Sequence, residues 1–261
     1  MTDELHGRVV IVTGASRGIG KALALGLAAR GAAVVCAART VTADPGGLPG
    51  TIHATADAIV HAGGRALAVR CDVGNADDLH HLVDETMAHF GRVDVLVNNA
   101  MAPTRGRFDE LSFEAWDESM AANVRSLFVL AKLVVPRMAA VGGGSIVNIS
   151  SGGAEHAATE AMPPGFLAYS VAKAAMERFT TALAPEVAAR GIAVNALRPG
   201  AVKTELAAKE LGEDFDWTGW TSPEAVVPAV AWLAVQRGKR FTGRIVDVSK
   251  AGQGIPDASP S

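Results

Sequence analysis

Short runs of apolar, mostly β-branched residues alternate along this chain with longer stretches rich in Ala and Leu. The runs at residues 8–13, 93–97 and 192–197 show too little polar alternation for a strand with one solvated face. They therefore predict strands that are buried on both faces. The stretches between the runs have the length and apolar spacing of helices. Strands that alternate with helices predict an α/β fold, in which a parallel sheet is covered by helices on both faces.

The pattern predicts about seven strands, at residues 8–13, 32–38, 64–70, 93–97, 144–149, 192–197 and 243–247. Helices are expected up to about residue 30, over 51–62, 75–90 and 113–138, around Tyr169, and from Ser222, where a Ser-Pro pair is typical of a helix start. Residues 203–220, here called the flap, show little periodicity. We expect one domain over residues 1–251 and a flexible polar tail over 252–261.

Composition and charge narrow the functional classes. The 261 residues are 49% apolar, include 28 glycines and carry a net charge of −3 with scattered Lys and Arg, so we expect no nucleic-acid partner. No apolar run approaches the length of a membrane span, and the polar start does not resemble a signal peptide, so no membrane partner is expected. Cys36 and Cys71 are predicted to be free thiols near strand ends, which favours a cytoplasmic protein.

A glycine-rich turn joins the first strand to the first helix. Its spacing is Gly14-x-x-x-Gly18-x-Gly20, which differs from the common Gly-x-Gly-x-x-Gly pattern. Glycine lets the backbone approach a pyrophosphate closely, and the helix N-terminus offers N–H groups and the positive end of a dipole. Between a strand and a helix, this turn predicts a site for the phosphates of a dinucleotide.

The end of the second strand indicates which dinucleotide binds. A site for NAD usually carries an acid there, whereas this chain has Ala38 followed by Arg39, with Arg17 in the glycine turn. Because arginine binds phosphate as a fork, these residues favour NADP(H) over NAD(H). The alternative is that both are ordinary surface arginines. Asp72, just past the third strand, is a candidate acceptor for the adenine amino group.

Tyr169 and Lys173 stand four residues apart on a predicted helix, and Tyr169 is the only tyrosine of the chain. This spacing puts both side chains on one face, where an ammonium group is expected to lower the pKa of the phenol and make it a usable general acid/base. The alternative is an amphipathic helix with an exposed pair. Asn123, inside a predicted helix, is expected to bond a backbone carbonyl or a water. The scattered histidines do not predict a metal site.

Seven landmarks in order resemble the short-chain dehydrogenase/reductase family over residues 8–247. They are Thr13-Gly-x-x-x-Gly-x-Gly20, Asp72-Val73, Asn98-Asn-Ala100, Asn123, Ser151, Tyr169-x-x-x-Lys173 and Pro199-Gly200. The resemblance implies a single-domain Rossmann fold, a nicotinamide cofactor, a small carbonyl or alcohol substrate and a homotetramer or homodimer. The finer likeness is to hydroxysteroid dehydrogenase-like members.

The resemblance also implies catalytic roles. Tyr169 would donate a proton to a carbonyl or accept one from an alcohol, and Lys173 would hold the nicotinamide ribose. Ser151, with Ser150 as the alternative, would bond the substrate oxygen. Asn123 would position a water that passes protons to Lys173.

The resemblance further implies a set of cofactor contacts, in which Thr204 and the backbone of Val202 hold the nicotinamide carboxamide. The expected set is Gly14, Ser16, Arg17, Gly18, Ile19, Gly20, Arg39, Asp72, Val73, Asn99, Ala100, Tyr169, Lys173, Pro199, Gly200, Val202 and Thr204.

Three features depart from the family pattern. Met101 stands where glycine is usual and is expected to crowd or line the nicotinamide side of the pocket. The loop 152–166 is longer than is common, and Asp247 is followed by Val-Ser-Lys rather than Gly-Gly. Other readings are a non-catalytic NADP(H)-binding regulatory protein, an NAD-dependent alcohol dehydrogenase, and an epimerase or dehalogenase. The apolar residues of the flap predict either a bulky hydrophobic substrate or simple packing of the flap.

Overall fold

The computed structural model describes residues 4–156, 162–212 and 214–249. In chain order its main elements are β1 (Val9–Thr13), α1 (Gly18–Ala28), β2 (Ala33–Ala38), α2 (Ile52–His61), β3 (Arg65–Arg70), α3 (Ala76–Phe90), β4 (Val95–Asn98), α4 (Phe113–Met120), α5 (Ser126–Ala140), β5 (Gly144–Ile149), α6 (Leu167–Val187), β6 (Ile192–Arg198), α7 (Glu205–Leu211), α8 (Val227–Ala234) and β7 (Ile245–Asp247). The strands form one parallel sheet in the order β3-β2-β1-β4-β5-β6-β7. The predicted seven-stranded Rossmann-type sheet is confirmed.

The sheet is buried on both faces, as its apolar strands predict. Successive side chains of β1 point into opposite layers, so that Val10 and Val12 join one cluster of buried residues while Val9 and Ile11 join the other. Helices α1, α2 and α8 pack on the first face, and α3, α5 and the C-terminal part of α6 on the second. All strands are parallel, so their carboxyl ends share one edge of the sheet.

Several element boundaries differ from the prediction. β4 begins at Val95 rather than at residue 93, although the Asp94 N–H still donates to the Val9 carbonyl at 2.9 Å and its carboxylate accepts from the Val9 N–H at 3.0 Å. The flap contains the helix α7, which starts where the Thr204 hydroxyl accepts a hydrogen bond from the Ala207 N–H at 3.2 Å. Residues 157–161 of the long loop and the tail 252–261 lie outside the described residues.

The predicted long helix is continuous over Phe113–Ala140 but contains a π-helical turn, Ala121–Arg125, between α4 and α5. An 18-residue window in it has a mean hydropathy of 1.3, so this helix is long and apolar enough to cross a membrane. The expectation that no apolar segment approaches that length is therefore wrong. Half of that window is buried inside the fold, where Leu130, Val134 and Met138 pack against the sheet. A buried core helix meets the same criteria as a membrane span.

Candidate active site

A cleft of about 680 Å³ opens at the carboxyl ends of the strands. Its walls come from the glycine turn, the residues that follow β2 to β6, the start of α6, and the flap. Every residue predicted to contact a cofactor lines this cleft, and so do Ser151, Tyr169 and Lys173. Asn123 is buried behind it.

The glycine turn has the geometry of a phosphate cradle. Gly14 has a φ of +71°, and a Cβ atom there would lie 2.8 Å from the side-chain nitrogen Nδ2 of Asn99. A Cβ atom on Gly20 would overlap the carbonyl oxygen of Gly14. Helix α1 begins after Arg17, whose side chain makes no capping hydrogen bond. The first residues of the helix, Gly18 to Gly20, line the cleft. The residues present therefore fit the pyrophosphate of a dinucleotide.

Asn99 supports this turn from the neighbouring strand. Its side-chain amide donates to the carbonyl of Thr13 at 2.9 Å, and the Thr13 hydroxyl accepts from the N–H groups of Asn99 and Ala100 at 3.0 Å each. These bonds tie the end of β1 to the end of β4. The Asn99 side chain thus stabilises the turn, and Asn99 itself lines the cleft.

The two predicted phosphate ligands have different surroundings. Arg17 is tied to the loop after β2, donating from Nε to the carbonyl of Pro49 at 2.9 Å and from Nη2 to those of Leu48 and Gly50 at 3.1 Å. The Arg39 side chain is 65% exposed, and its guanidinium lies 3.9 Å from the Asp72 carboxylate. Arg17 therefore shapes the loop, and Arg39 is the cation that remains free to turn toward a ligand.

Tyr169 and Ser151 meet at the end of β5. Both side chains line the cleft, and Ser151 lies close enough to the Tyr169 phenol to lower its pKa. Ser150 faces elsewhere, because its hydroxyl donates to the Glu177 carboxylate at 2.7 Å. That carboxylate also receives Arg198 as a two-pronged partner at 2.7 Å. Of the two candidate serines, Ser151 is the one that faces Tyr169.

The predicted lowering of the Tyr169 pKa by Lys173 is wrong for this structure. Burial is the largest influence and raises the pKa of Tyr169, while the hydrogen bond from Ser151 and the charge of Arg105 lower it. The Lys173 ammonium is buried, lies 5.7 Å from the centre of the tyrosine ring, and donates to the Ile149 carbonyl at 2.6 Å. Burial also lowers the pKa of Lys173 to about 8, against a smaller opposing effect of Glu177.

Asn123 lies in the π-helical turn and bonds the loop after β4. Its side-chain oxygen accepts from the Ala102 N–H at 2.9 Å, and its amide donates to the Ala102 carbonyl at 3.2 Å and to the Ser119 hydroxyl at 3.1 Å. The expectation that this side chain bonds a backbone carbonyl is confirmed. The bonds fix the first residues of the loop that forms one wall of the cleft.

The segment after β6 closes the other side of the cleft. Gly200 has a φ of +75°, and a Cβ atom there would lie 2.8 Å from the Ser249 Cβ. Val202 forms a single parallel bridge with Thr221, which ties the start of the flap to its end. The Thr204 hydroxyl, predicted to hold a carboxamide, serves as the N-cap acceptor of α7 and keeps its own proton to donate.

Sequence reasoning missed Arg105, which lies beside Tyr169. Its guanidinium carbon lies 4.0 Å from the centre of the Phe166 ring and 5.6 Å from that of Tyr169, and Nη2 lies 3.3 Å from the Glu210 carboxylate. Met101 lines the cleft, as expected, and Phe215 and Trp220 of the flap do so as well. The only sequence feature that could have predicted a role for Arg105 is its position in the loop after β4. Many arginines lie in such loops, so this feature does not single it out.

The fold and the cleft together define a Rossmann-type α/β protein. A sequence profile of the short chain dehydrogenase family matches residues 8–214. A 3-oxoacyl-[acyl-carrier-protein] reductase from Synechocystis sp. is 35% identical, over 94% of this chain and 96% of its own length. A 3beta-hydroxysteroid dehydrogenase 1 from Eggerthella lenta is 34% identical, over 93% and 92%.

Solved structures of short-chain dehydrogenases/reductases are also similar to this chain. A short-chain dehydrogenase/reductase from Serratia marcescens has a TM-score of 0.81 at 34% identity, over 94% of this chain and 97% of that one. A protein from Beutenbergia cavernae, whose structure contains NADP at low occupancy, has a TM-score of 0.81 at 33% identity, over 95% and 97%. The chain belongs to the short-chain dehydrogenase/reductase family, whose oxidoreductases use nicotinamide dinucleotides.

Proposed function

We propose that this protein is an NADP(H)-dependent oxidoreductase that interconverts a carbonyl and an alcohol, with Tyr169 as general acid/base. The observation that carries the proposal is that Ser151, Tyr169 and Lys173 line one cleft together with the glycine turn, with Lys173 buried one helical turn beyond Tyr169. The bound nicotinamide supplies the hydride chemistry. The chain itself supplies position, charge and a proton.

Each of these side chains has a role in the proposal. Ser151 holds the substrate oxygen by a hydrogen bond, and Tyr169 donates the proton that this oxygen requires on reduction. Burial raises the pKa of Tyr169, which keeps its phenol protonated at neutral pH and so suits it to donate. Lys173 supplies a buried positive charge beneath the phenol, and Asn123 holds the wall of the cleft through Ala102.

The preference for NADP(H) rests on the end of β2. No carboxylate follows that strand directly, and Arg39 is free to turn its guanidinium onto a 2′-phosphate. Asp72 is a weak partner for Arg39 at 3.9 Å, so a phosphate would displace it at small cost. Arg17 contributes through the loop that it ties down.

Calorimetry tests the cofactor part of the proposal. We expect wild-type protein to bind NADPH more tightly than NADH, and Arg39→Ala to lose about tenfold or more in NADPH affinity with little change for NADH. Arg30→Ala, which removes a cation from the far end of α1, is the matched control. Equal affinities, or an NADPH affinity unchanged in Arg39→Ala, would contradict the preference and favour the NAD-dependent alternative.

Tyr169→Phe tests the catalytic part. In a screen of aldehydes and ketones with NADPH, this variant should lose about 100-fold or more in turnover while it binds NADPH as the wild type does. Full activity in the variant would overturn the role of Tyr169. Cofactor binding without turnover of any carbonyl or alcohol would favour the non-catalytic regulatory reading.

Two further properties belong to the proposal. The cleft wall made by Met101, Phe166, Leu206, Phe215 and Trp220 supports a hydrophobic carbonyl or alcohol substrate. We also propose a cytoplasmic protein that forms a homotetramer or homodimer. Free Cys36 and Cys71, both buried, are compatible with a reducing compartment.

A further inference from the structure

A second pocket of about 530 Å³ lies at the opposite edge of the sheet, where the strands begin. Its walls come from the residues just before β1, β4 and β5 and from the turn after α8. Three of its residues are arginines, Arg8, Arg92 and Arg237, and a fourth is His6. None of the described residues that line it carries a carboxylate.

The carboxylate nearest to these arginines is already committed. Asp94 is buried behind the pocket wall, receives Arg92 from two nitrogens at 2.7 and 2.8 Å, and accepts from the Val9 N–H at 3.0 Å. Arg8 lies 3.7 Å from the same carboxylate. Asp94 therefore neutralises one guanidinium group and has little capacity for the others.

Arg237 adds a third guanidinium group, which forms no ion pair within 4.0 Å with a carboxylate of the described residues. Its Nη1 donates to the carbonyls of Ala234 and Gln236 at 2.9 and 2.7 Å, which caps the end of α8, and its Nη2 is buried with no hydrogen-bond partner. Burial, with repulsion from Arg8 and Arg92, lowers the pKa of Arg237 to about 10. Three guanidinium groups thus share one carboxylate, which leaves a local excess of positive charge at the pocket.

We propose that this pocket is a binding site for a phosphate group, separate from the catalytic cleft. With Arg92 committed to Asp94, the Arg8 guanidinium and the unpartnered Nη2 of Arg237 are the donors left for a tetrahedral oxyanion. The ligand is inorganic phosphate or the phosphate of a small ester. Its binding adds a contact to chain segments that precede three central strands, so it also stabilises the fold.

Phosphate titration tests the site. We expect the full-length wild-type protein to bind inorganic phosphate saturably at this pocket, and Arg237→Gln and Arg8→Gln each to weaken that binding about tenfold or more. Lys239→Gln removes an exposed cation two residues from Arg237 and should leave the affinity unchanged. Arg39→Gln, at the catalytic cleft, separates this site from phosphate bound in the cofactor position.

Thermal unfolding provides a second readout. Phosphate should raise the unfolding midpoint of the wild type more than chloride of equal ionic strength does, and this excess should vanish in Arg237→Gln. General salt effects on stability act on both proteins and cancel in the comparison. NADPH binding should be unchanged in Arg237→Gln and Arg8→Gln.

The alternatives give different results. Phosphate binding that is absent or unsaturable in the wild type, unchanged in both pocket variants, or lost only in Arg39→Gln would overturn the proposal. A glycerol phosphate titration identifies the source of the ligand. Tighter binding than inorganic phosphate, lost in Arg237→Gln, indicates a phosphate ester, and weaker binding indicates the free ion.

Discussion

Burial acts in opposite directions on Tyr169 and Lys173. It disfavours the charged phenolate and raises the pKa of Tyr169, and it disfavours the charged ammonium and lowers the pKa of Lys173 to about 8. Lys173 therefore loses its proton before Tyr169 does. Arg105 is the cation whose charge acts on the phenol, because its guanidinium stacks on Phe166 beside the Tyr169 ring.

Arg105→Gln should raise the pKa of Tyr169 further. The substitution removes the positive charge that favours the phenolate and leaves the hydrogen bond from Ser151 in place. Since Tyr169 is the only tyrosine, the near-ultraviolet absorbance of the phenolate reports its ionisation directly. Arg107→Gln, in the exposed part of the same loop, is the control, and spectra are compared only where circular dichroism shows the native fold. An unchanged titration would show that Arg105 does not act on Tyr169.

Lys173 should make stability depend on pH in the alkaline range. Its pKa is about 8 in the fold against 10.5 for the ordinary side chain, so between these values the unfolded chain binds the extra proton and stability rises with pH. The gain approaches about 3 kcal/mol above pH 10.5 and is absent below pH 8. Urea unfolding of wild type and Lys173→Met along a pH series measures it.

The comparison with Lys173→Met is needed because the two thiols act in the opposite sense. Burial raises the pKa of Cys36 and of Cys71 to about 12, so their ionisation in the unfolded chain lowers stability above about pH 9. Both proteins carry these thiols, and their effect cancels in the difference. A difference that stays flat between pH 8 and 10.5 would contradict the expected behaviour of Lys173.

The π-helical turn between α4 and α5 connects a core helix to the wall of the cleft. It presents the side-chain amide of Asn123 to the N–H and the carbonyl of Ala102, which lies four residues after the end of β4. Such turns often occur at functional sites because the wider turn redirects a side chain. Here a mid-helix asparagine fixes a loop rather than weakening its own helix.

Asn123→Ala should cost about 1–3 kcal/mol of stability, because it leaves the N–H and carbonyl of Ala102 without their partners. Denaturant unfolding measures the loss. Ser119→Ala, which removes only the hydroxyl that accepts from Asn123, should cost less and serves as the matched control. Equal effects of the two variants would show that the bonds to Ala102 carry little of the stability.

Several large apolar side chains are exposed on the surface of the described residues. Phe113 and Phe128, on α4 and α5, are 87% and 57% exposed in the isolated chain. Exposed aromatic groups of this size favour association between protein surfaces. These two side chains support self-association of the protein.

Phe128→Asp should weaken self-association, because it puts a charge on an apolar surface that a partner copy would desolvate. Light scattering coupled to size-exclusion chromatography measures the mass across a dilution series. Val60→Asp, at an exposed apolar position on α2, is the control. A wild type that stays monomeric at all concentrations would contradict the proposed tetramer or dimer.

Much of the fold could be predicted from this sequence. The bounds of β5 and the approximate starts of α2 and α3, expected at residues 51 and 75, follow from patterns within a few residues. The helix in the flap was missed, since α7 is only seven residues long and none of its residues is buried, so it has no apolar periodicity. The start of β4 was placed two residues too early because Val93 is apolar and buried like the strand residues, so the apolar pattern does not mark where the strand begins.

The sequence alone determined the parallel sheet, the glycine turn and the Tyr169–Lys173 spacing, because each depends on residues that are neighbours in the chain or on a local period. Only the tertiary structure decided which serine faces Tyr169, that Arg17 ties down a loop while Arg39 stays free, and that Arg105 lies beside the phenol. Charges and buried dipoles act through space, so the pKa of each group depends on neighbours that lie distant in sequence.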